Sequence, residues 1–155
     1  IAIGLHLKVD LQDIKAAIEA YTSGDNRSQL VNKNDYKIIL DAYNANPSSM
    51  EVALKNFSSI NGEKAVVLGD MFELGDSSKI EHQNIADLAF KFRFNEIYLI
   101  GNYFHSIDKE NLSNMKTFEN REEAINYFSQ HPIRSKTLLI KGSRGMQLEK
   151  IIEFL

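Results

Sequence analysis

Four short, nearly continuous apolar runs constrain this chain more than any other feature. They are Tyr36-Lys37-Ile38-Ile39-Leu40, Ala65-Val66-Val67-Leu68, Ile97-Tyr98-Leu99-Ile100 and Thr137-Leu138-Leu139-Ile140. A strand with one wet face alternates apolar and polar residues. A run that does not alternate reads as a strand buried on both sides, as in a parallel sheet sandwiched between helices. The intervening segments carry the complementary helical signal. Met50, Ala53, Leu54 and Phe57 share one helical face, as do Ile85, Leu88, Ala89 and Phe92. A weaker strand at Met115–Phe118 precedes a third such face, Ala124, Ile125 and Phe128, and Leu148, Ile151, Ile152 and Leu155 predict a helix at the end. Helix starts are marked by Asn46-Pro47, by Ser78 with Glu81 in capping-box spacing, and by Asn120 with Glu123. Strand–helix alternation of this kind predicts an α/β domain with a doubly wound, mostly parallel sheet and helices on both faces.

Ahead of this pattern, Leu11, Ile14, Ile18 and Tyr21 predict a helix capped by Asp10. Thr22-Ser23-Gly24-Asp25-Asn26 then reads as a hinge. One helix has no core of its own, so residues 1–24 are expected to be the end of a preceding unit, with residues 25–155 as the main domain. Residue 1 is Ile rather than Met, which agrees with a piece of a longer protein. The 155 residues suffice for one domain core without a metal or disulfide staple. The absence of Cys excludes disulfides, thiolate metal sites and cysteine nucleophiles, and agrees with a cytoplasmic setting. No apolar run approaches the roughly 20 residues of a bilayer span. A net charge of −3 argues against a general nucleic-acid or anionic-membrane binder. Neither a G-x-x-x-x-G-K-[ST] phosphate loop, a G-x-G-x-x-G fingerprint nor a G-x-S-x-G elbow is present. A nucleotide held here is therefore expected to be gripped by its sugar or base.

Ligands of open parallel sheets bind beyond the carboxyl ends of the strands. The segments leaving those ends are 41–47, 69–75, 101–102 and 141–145, and they concentrate acids, bases and amides. Asp41 directly follows a strand, where a carboxylate suits a ribose diol and equally suits a turn cap. Asn44 and Asn46 can bond a ligand or shape the turn, and for Asn46 beside Pro47 the helix cap is the stronger reading. Lys141, Ser143 and Arg144 bring two cations near the predicted last helix start, an arrangement for a carboxylate or phosphate, or else a solvated basic turn. His82 stands alone on its helix with no metal-ligand partner in sequence, so no metal site is proposed.

The segments Asp41-Ala42-Tyr43-Asn44-Ala45-Asn46-Pro47-Ser48-Ser49-Met50, Gly69-Asp70-Met71-Phe72-Glu73-Leu74-Gly75 with His82 downstream, and Lys141-Gly142-Ser143-Arg144-Gly145-Met146 resemble the Mur ligase family. They are most similar to its branch that adds D-Ala-D-Ala to UDP-N-acetylmuramoyl-tripeptide. The resemblance runs from about Asn26 to the end, and it implies the Rossmann-like C-terminal domain of a three-domain, ATP-dependent peptidoglycan ligase, with Ile1–Tyr21 as the tail of the central domain.

Carried over by that resemblance, Arg27 lies near the ATP phosphates, Asp41 holds the ribose, and Asn44 and Asn46 line the nucleotide side. Lys141, Ser143 and Arg144 face the incoming dipeptide, and Asp70, Glu73 and His82 organise the loops beside it. ATP and Mg2+ serve the complete enzyme, whose other domains hold the phosphates and the UDP-linked tripeptide. The chain alone is then expected to be inactive as a ligase and to bind ATP weakly. A receiver-type signalling module or a plain interaction module is the competing reading. A receiver, however, needs an aspartate after the third strand, where this chain has Gly101-Asn102.

Overall fold

The doubly buried strands lie at the centre of a six-stranded sheet in the order β1-β2-β6-β3-β4-β5. The computed structural model describes residues 1–21, 24, 26–108 and 114–155; Thr22, Ser23 and Asp25 of the expected hinge lie outside that set. β2 (Tyr36–Asp41), β3 (Lys64–Gly69), β4 (Glu96–Ile100), β5 (Met115–Phe118) and β6 (Thr137–Lys141) are mutually parallel. Only β1 (Gln29–Lys33) is antiparallel, paired with β2 through a tight turn in which Asn34 takes a left-handed φ of 53°. β1 was not expected from sequence. Its burial alternates between half-buried and exposed, the signature of an edge strand with little apolar content to announce it.

Alternation along each strand divides the core in two. Val66, Leu68, Ile97, Leu99 and Leu139 face α3 (Pro47–Ser58), α4 (Ser78–Lys91) and the short α5 (Asn102–His105). Ala65, Val67, Tyr98, Ile100, Leu138 and Ile140 face α6 (Arg121–Gln130) and the C-terminal segment. Met50, Leu54, Phe57 and Phe128 are essentially fully buried, each contributing about 1.5–3 kcal/mol of transfer free energy. α1 (Ala2–His6) and α2 (Leu11–Glu19) bury only Ile14, and Asp10 caps α2 by accepting a hydrogen bond from Gln12 N at 2.8 Å. No helix of the described residues is long and apolar enough to cross a membrane.

Two expected helix features are corrected. The end of the chain is a one-turn 3₁₀ segment, Arg144–Met146, followed by a second, Leu148–Phe154, with no α-helix. Gln147 at φ 49°, ψ 45° separates them, and the buried pair Leu148 and Ile151, three residues apart, falls on one line of a 3₁₀ turn. Ser78 and Glu81 form no capping box. The preceding turn Gly75–Ser77 runs directly into α4, so Ser77 is already in a helical conformation where a cap needs an extended one. Asn46 and Asn120, by contrast, do cap: their side chains accept from Ser49 N and Glu123 N, both at 2.9 Å.

Chain order creates the crevice. From β3 the chain proceeds outward to β4 and β5, then returns to insert β6 between β2 and β3. Connections after β2 and β3 lead to one face, the connection after β6 to the other, and ligands of such sheets sit where these diverge. The strands close there because Gly142 has no side chain. A Cβ on it would stand 2.8 Å from Leu148 Cδ1 and 3.0 Å from Gly69 Cα. Gly142→Ala is expected to destabilise the domain by about 1–3 kcal/mol in urea denaturation, the cost of overpacking against backbone.

Candidate functional site

Asp41 and Lys141 end neighbouring parallel strands and are register partners. Strand alternation turns both side chains toward the same face, and Lys141 Nζ donates to Asp41 Oδ2 at 2.6 Å and to Asn44 O at 3.0 Å. Asp41 Oδ1 accepts from Ser28 N at 3.0 Å. The lysine is only 2% exposed, so its charge depends on these acceptors. Sequence placed Lys141 in a loop facing the dipeptide. The structure places it at the end of β6, buried against Asp41 and the loop of Asn44.

Around this pair opens a cavity of about 400 Å³ lined by Arg27, Asp41, Tyr43, Asn44, Asn46, Ser49 and Lys141. It gathers all four residues expected on the nucleotide side. Asn46 Oδ1 is occupied by Ser49 N and by Ser48 Oγ at 3.0 Å, so that oxygen serves the cap of α3. Asn44 Oδ1 accepts from Ala45 N at 2.9 Å. Tyr43, which sequence did not single out, carries the Arg27 guanidinium 3.8 Å above its ring and that of Arg144 at 5.0 Å.

A second group braces the neighbouring loops. The Asp70 carboxylate, 2% exposed, accepts from Tyr103 N and Phe104 N at 3.1 and 3.0 Å, tying the loop after β3 to α5. Gly101 at φ 123° makes room, since a Cβ there would meet that carboxylate at 2.2 Å. Ser143 N donates to Asp70 O at 3.1 Å, and Ser143 Oγ accepts from Phe72 N at 3.0 Å, joining the loops after β6 and β3. His82 Nε2 accepts from Met71 N at 2.9 Å while Nδ1–H donates to Ser78 O at 2.6 Å. Both ring nitrogens are thereby engaged as in a neutral imidazole. Burial holds the His82 ring below its ordinary range, and burial raises the Asp70 carboxyl against the pull of its two backbone donors. Glu73 stands exposed at the loop tip with φ 66°.

Arg121 was also missed: it donates to Met146 O at 3.2 Å and Gln147 O at 3.3 Å, holding the turn that carries Arg144. Of the three residues expected on the dipeptide side, only Arg144 is exposed; Ser143 and Lys141 are buried. A larger cavity, about 730 Å³, opens at the opposite edge of the sheet beside Glu96. That carboxylate already accepts from Tyr98 Oη, Ser135 N, Ser135 Oγ and Arg134 N, a bracing role rather than a reactive one. Among the described residues, no group of three or more His, Asp or Glu side chains is placed to hold a metal ion.

The family described as "Mur ligase, glutamate ligase domain" matches residues 26–144, spanning every loop of this crevice. The chain belongs to the Mur ligase family. Two similar proteins, both UDP-N-acetylmuramoyl-tripeptide–D-alanyl-D-alanine ligases, come from Buchnera aphidicola subsp. Acyrthosiphon pisum and Rickettsia prowazekii. The first is 34% identical over 98% of this chain and 34% of its own length, the second 33% identical over 87% and 30%. Among solved structures, MurF from Acinetobacter baumannii superimposes with a TM-score of 0.80 at 31% identity, over 97% of this chain and 34% of that one. MurF from Thermotoga maritima, solved in complex with ADP, shares the fold at a TM-score of 0.78 and 20% identity, over 99% of this chain and 35% of that one. This Mur ligase chain thus spans about a third of the length of the curated relatives it matches.

Two outcomes follow from the geometry of this Mur ligase domain. Asp41→Ala strands the buried Lys141 ammonium and is expected to cost about 3–5 kcal/mol, whereas Asp41→Asn with Lys141→Met together cost less than Asp41→Ala alone. Chemical denaturation of the three variants measures this, and additive losses would show that the pair is not coupled. For His82, the unfolded chain takes up a proton before the folded one as pH falls, so its contribution is complete above about pH 6.5 and is lost on acidification below it. Nitrogen-detected NMR at about pH 6 should show His82 as the neutral Nδ1–H tautomer, and an imidazolium signal there overturns the assignment.

Proposed function

We propose that residues 25–155 act as the ATP-closing, acceptor-binding C-terminal domain of a ligase that joins D-Ala-D-Ala to UDP-N-acetylmuramoyl-tripeptide in cytoplasmic peptidoglycan synthesis. Residues 1–24 then form the tail of the central domain and the hinge. In that reaction ATP phosphorylates the tripeptide carboxylate. The dipeptide amine then attacks the acyl phosphate, forming the amide and releasing phosphate. The observation that carries the reading is the convergence of the three motif loops on one crevice, in a chain whose similar curated relatives bear one ligase name.

Within this reading Asp41 accepts the ribose hydroxyls, held in place by Lys141 and Ser28 N. Arg27 approaches the phosphates, and Asn44 and Asn46 shape the nucleotide wall. The loop of Ser143 and Arg144, braced by Asp70, His82 and Arg121, presents Arg144 to the acceptor side. Glu73 sits at the loop tip beside it. Mg2+ supplies charge neutralisation at the phosphates and would be held by parts of the ligase outside this chain. This chain's own contribution is positioning and charge placement, which act only when the phosphates and the tripeptide are presented to it.

In the complete ligase, Asp41→Asn is expected to raise the KM for ATP about tenfold while leaving the KM for D-Ala-D-Ala near its original value, consistent with losing a hydrogen bond to a charged group. An unchanged ATP dependence removes Asp41 from the site. The 155-residue chain, supplied with ATP, UDP-N-acetylmuramoyl-tripeptide and D-Ala-D-Ala, is expected to release no phosphate, and release would overturn the division of labour between domains.

A further inference from the structure

Tyr43 collects two arginines that are far apart in sequence. Arg27 precedes β1, Tyr43 follows β2, and Arg144 opens the turn after β6. The guanidinium carbons stand 3.8 and 5.0 Å from the same ring centroid. We infer that Arg27, Tyr43 and Arg144 form one oxyanion clamp, in which Tyr43 is the positioning residue that holds both guanidinium groups. The clamp deepens the reading of this crevice as a nucleotide and acceptor site and rests on it for the identity of the oxyanion.

The argument is one of geometry and charge. An aromatic face carries negative potential that attracts a cation without neutralising it. A guanidinium stacked on a ring keeps its N–H donors in its own plane, at the rim, where two oxygens of a phosphate or carboxylate can be met together. Two like charges gathered on one ring repel each other and favour an anion that bonds to both. Asp41 and Lys141, at 2.6 Å from one another, form a neutral pair beside the clamp and add no net charge to it. Arg121 fixes the turn on which Arg144 sits, so that cation is presented from a braced segment. Arg27 and Arg144, assigned by sequence to the phosphates and to the dipeptide respectively, become parts of one device. The oxyanion is a phosphate of the nucleotide or the carboxylate of the dipeptide.

The test is an NMR titration of the 155-residue chain with inorganic tripolyphosphate and, separately, with D-Ala-D-Ala, at constant ionic strength. The Arg27 and Arg144 Nε–H signals and the Tyr43 ring signals should move together with a single affinity, and the ligand that moves them names the source of the oxyanion. Tyr43→Phe should keep that affinity within about twofold, because the ring face remains, whereas Tyr43→Leu should weaken it about three- to fivefold. Arg144→Ala should weaken the same ligand, and combining it with Tyr43→Leu should add little to the greater single loss. Wild-type affinity in Tyr43→Leu overturns the clamp, as does an Arg144 signal that neither ligand moves or a chain that responds to neither ligand. If ATP fails to move the Asp41 and Asn44 amides while the clamp still takes tripolyphosphate, the ligase reading fails and the clamp stands.

Discussion

A lysine ammonium with 2% exposure at the end of a central strand is tolerable only if acceptors meet it, and the crevice is organised around that requirement. Lys141 satisfies it with Asp41 across the β2–β6 pairing and with the carbonyl of Asn44 one turn further on. The same carboxylate accepts from Ser28 N, which draws the approach to β1 against the end of β2. One ion pair thus sets the positions of the segment carrying Arg27, the loop carrying Tyr43 and Asn44, and the strand leading to Arg144. Moving the register of β6 by one residue would turn Lys141 to the other face and leave the charge without its acceptors.

The loops beside this pair are held by neutral and backbone hydrogen bonds. Asp70 binds two amides of α5, Ser143 exchanges bonds with the loop after β3, and His82 receives Met71 N from within α4. These polar groups are buried and partnered, so they define where the loops stand while the exposed side chains, Arg27, Arg144 and Glu73, remain to meet ligands. This division suits a domain that contributes orientation and charge to a reaction completed by other parts of an enzyme.

The strands and three helices were legible because their apolar spacing records burial directly. β3 reads Ala65-Val66-Val67-Leu68 and is buried on both faces, and the faces of α3 and α6 are those expected. β1 was not legible: an edge strand half exposed along its length needs no apolar run, and its pairing with β2 is a long-range choice. The last segment was misread because Leu148, Ile151, Ile152 and Leu155 fit a helical stripe, while Gln147 in the left-handed region breaks the turn ahead of them. At the site, residue identities were legible and their grouping was not. Lys141 was expected on the dipeptide side and lies against Asp41. Tyr43 was overlooked, although an aromatic residue in a polar loop between Asp41 and Asn44 was the available signal.

The sequence by itself determined the layer architecture and the edge of the sheet on which polar chemistry gathers, since hydrophobic periodicity and strand order along the chain are local properties. It also carried the motifs that place the chain among the Mur ligases. Only the tertiary structure decided which of those residues act together. Inserting β6 between β2 and β3 brings Lys141 onto Asp41, and Arg144 onto the ring that also holds Arg27, across separations of about a hundred residues that no local pattern encodes. Contacts of that kind depend on strand order and register, which the packed core selects as a whole.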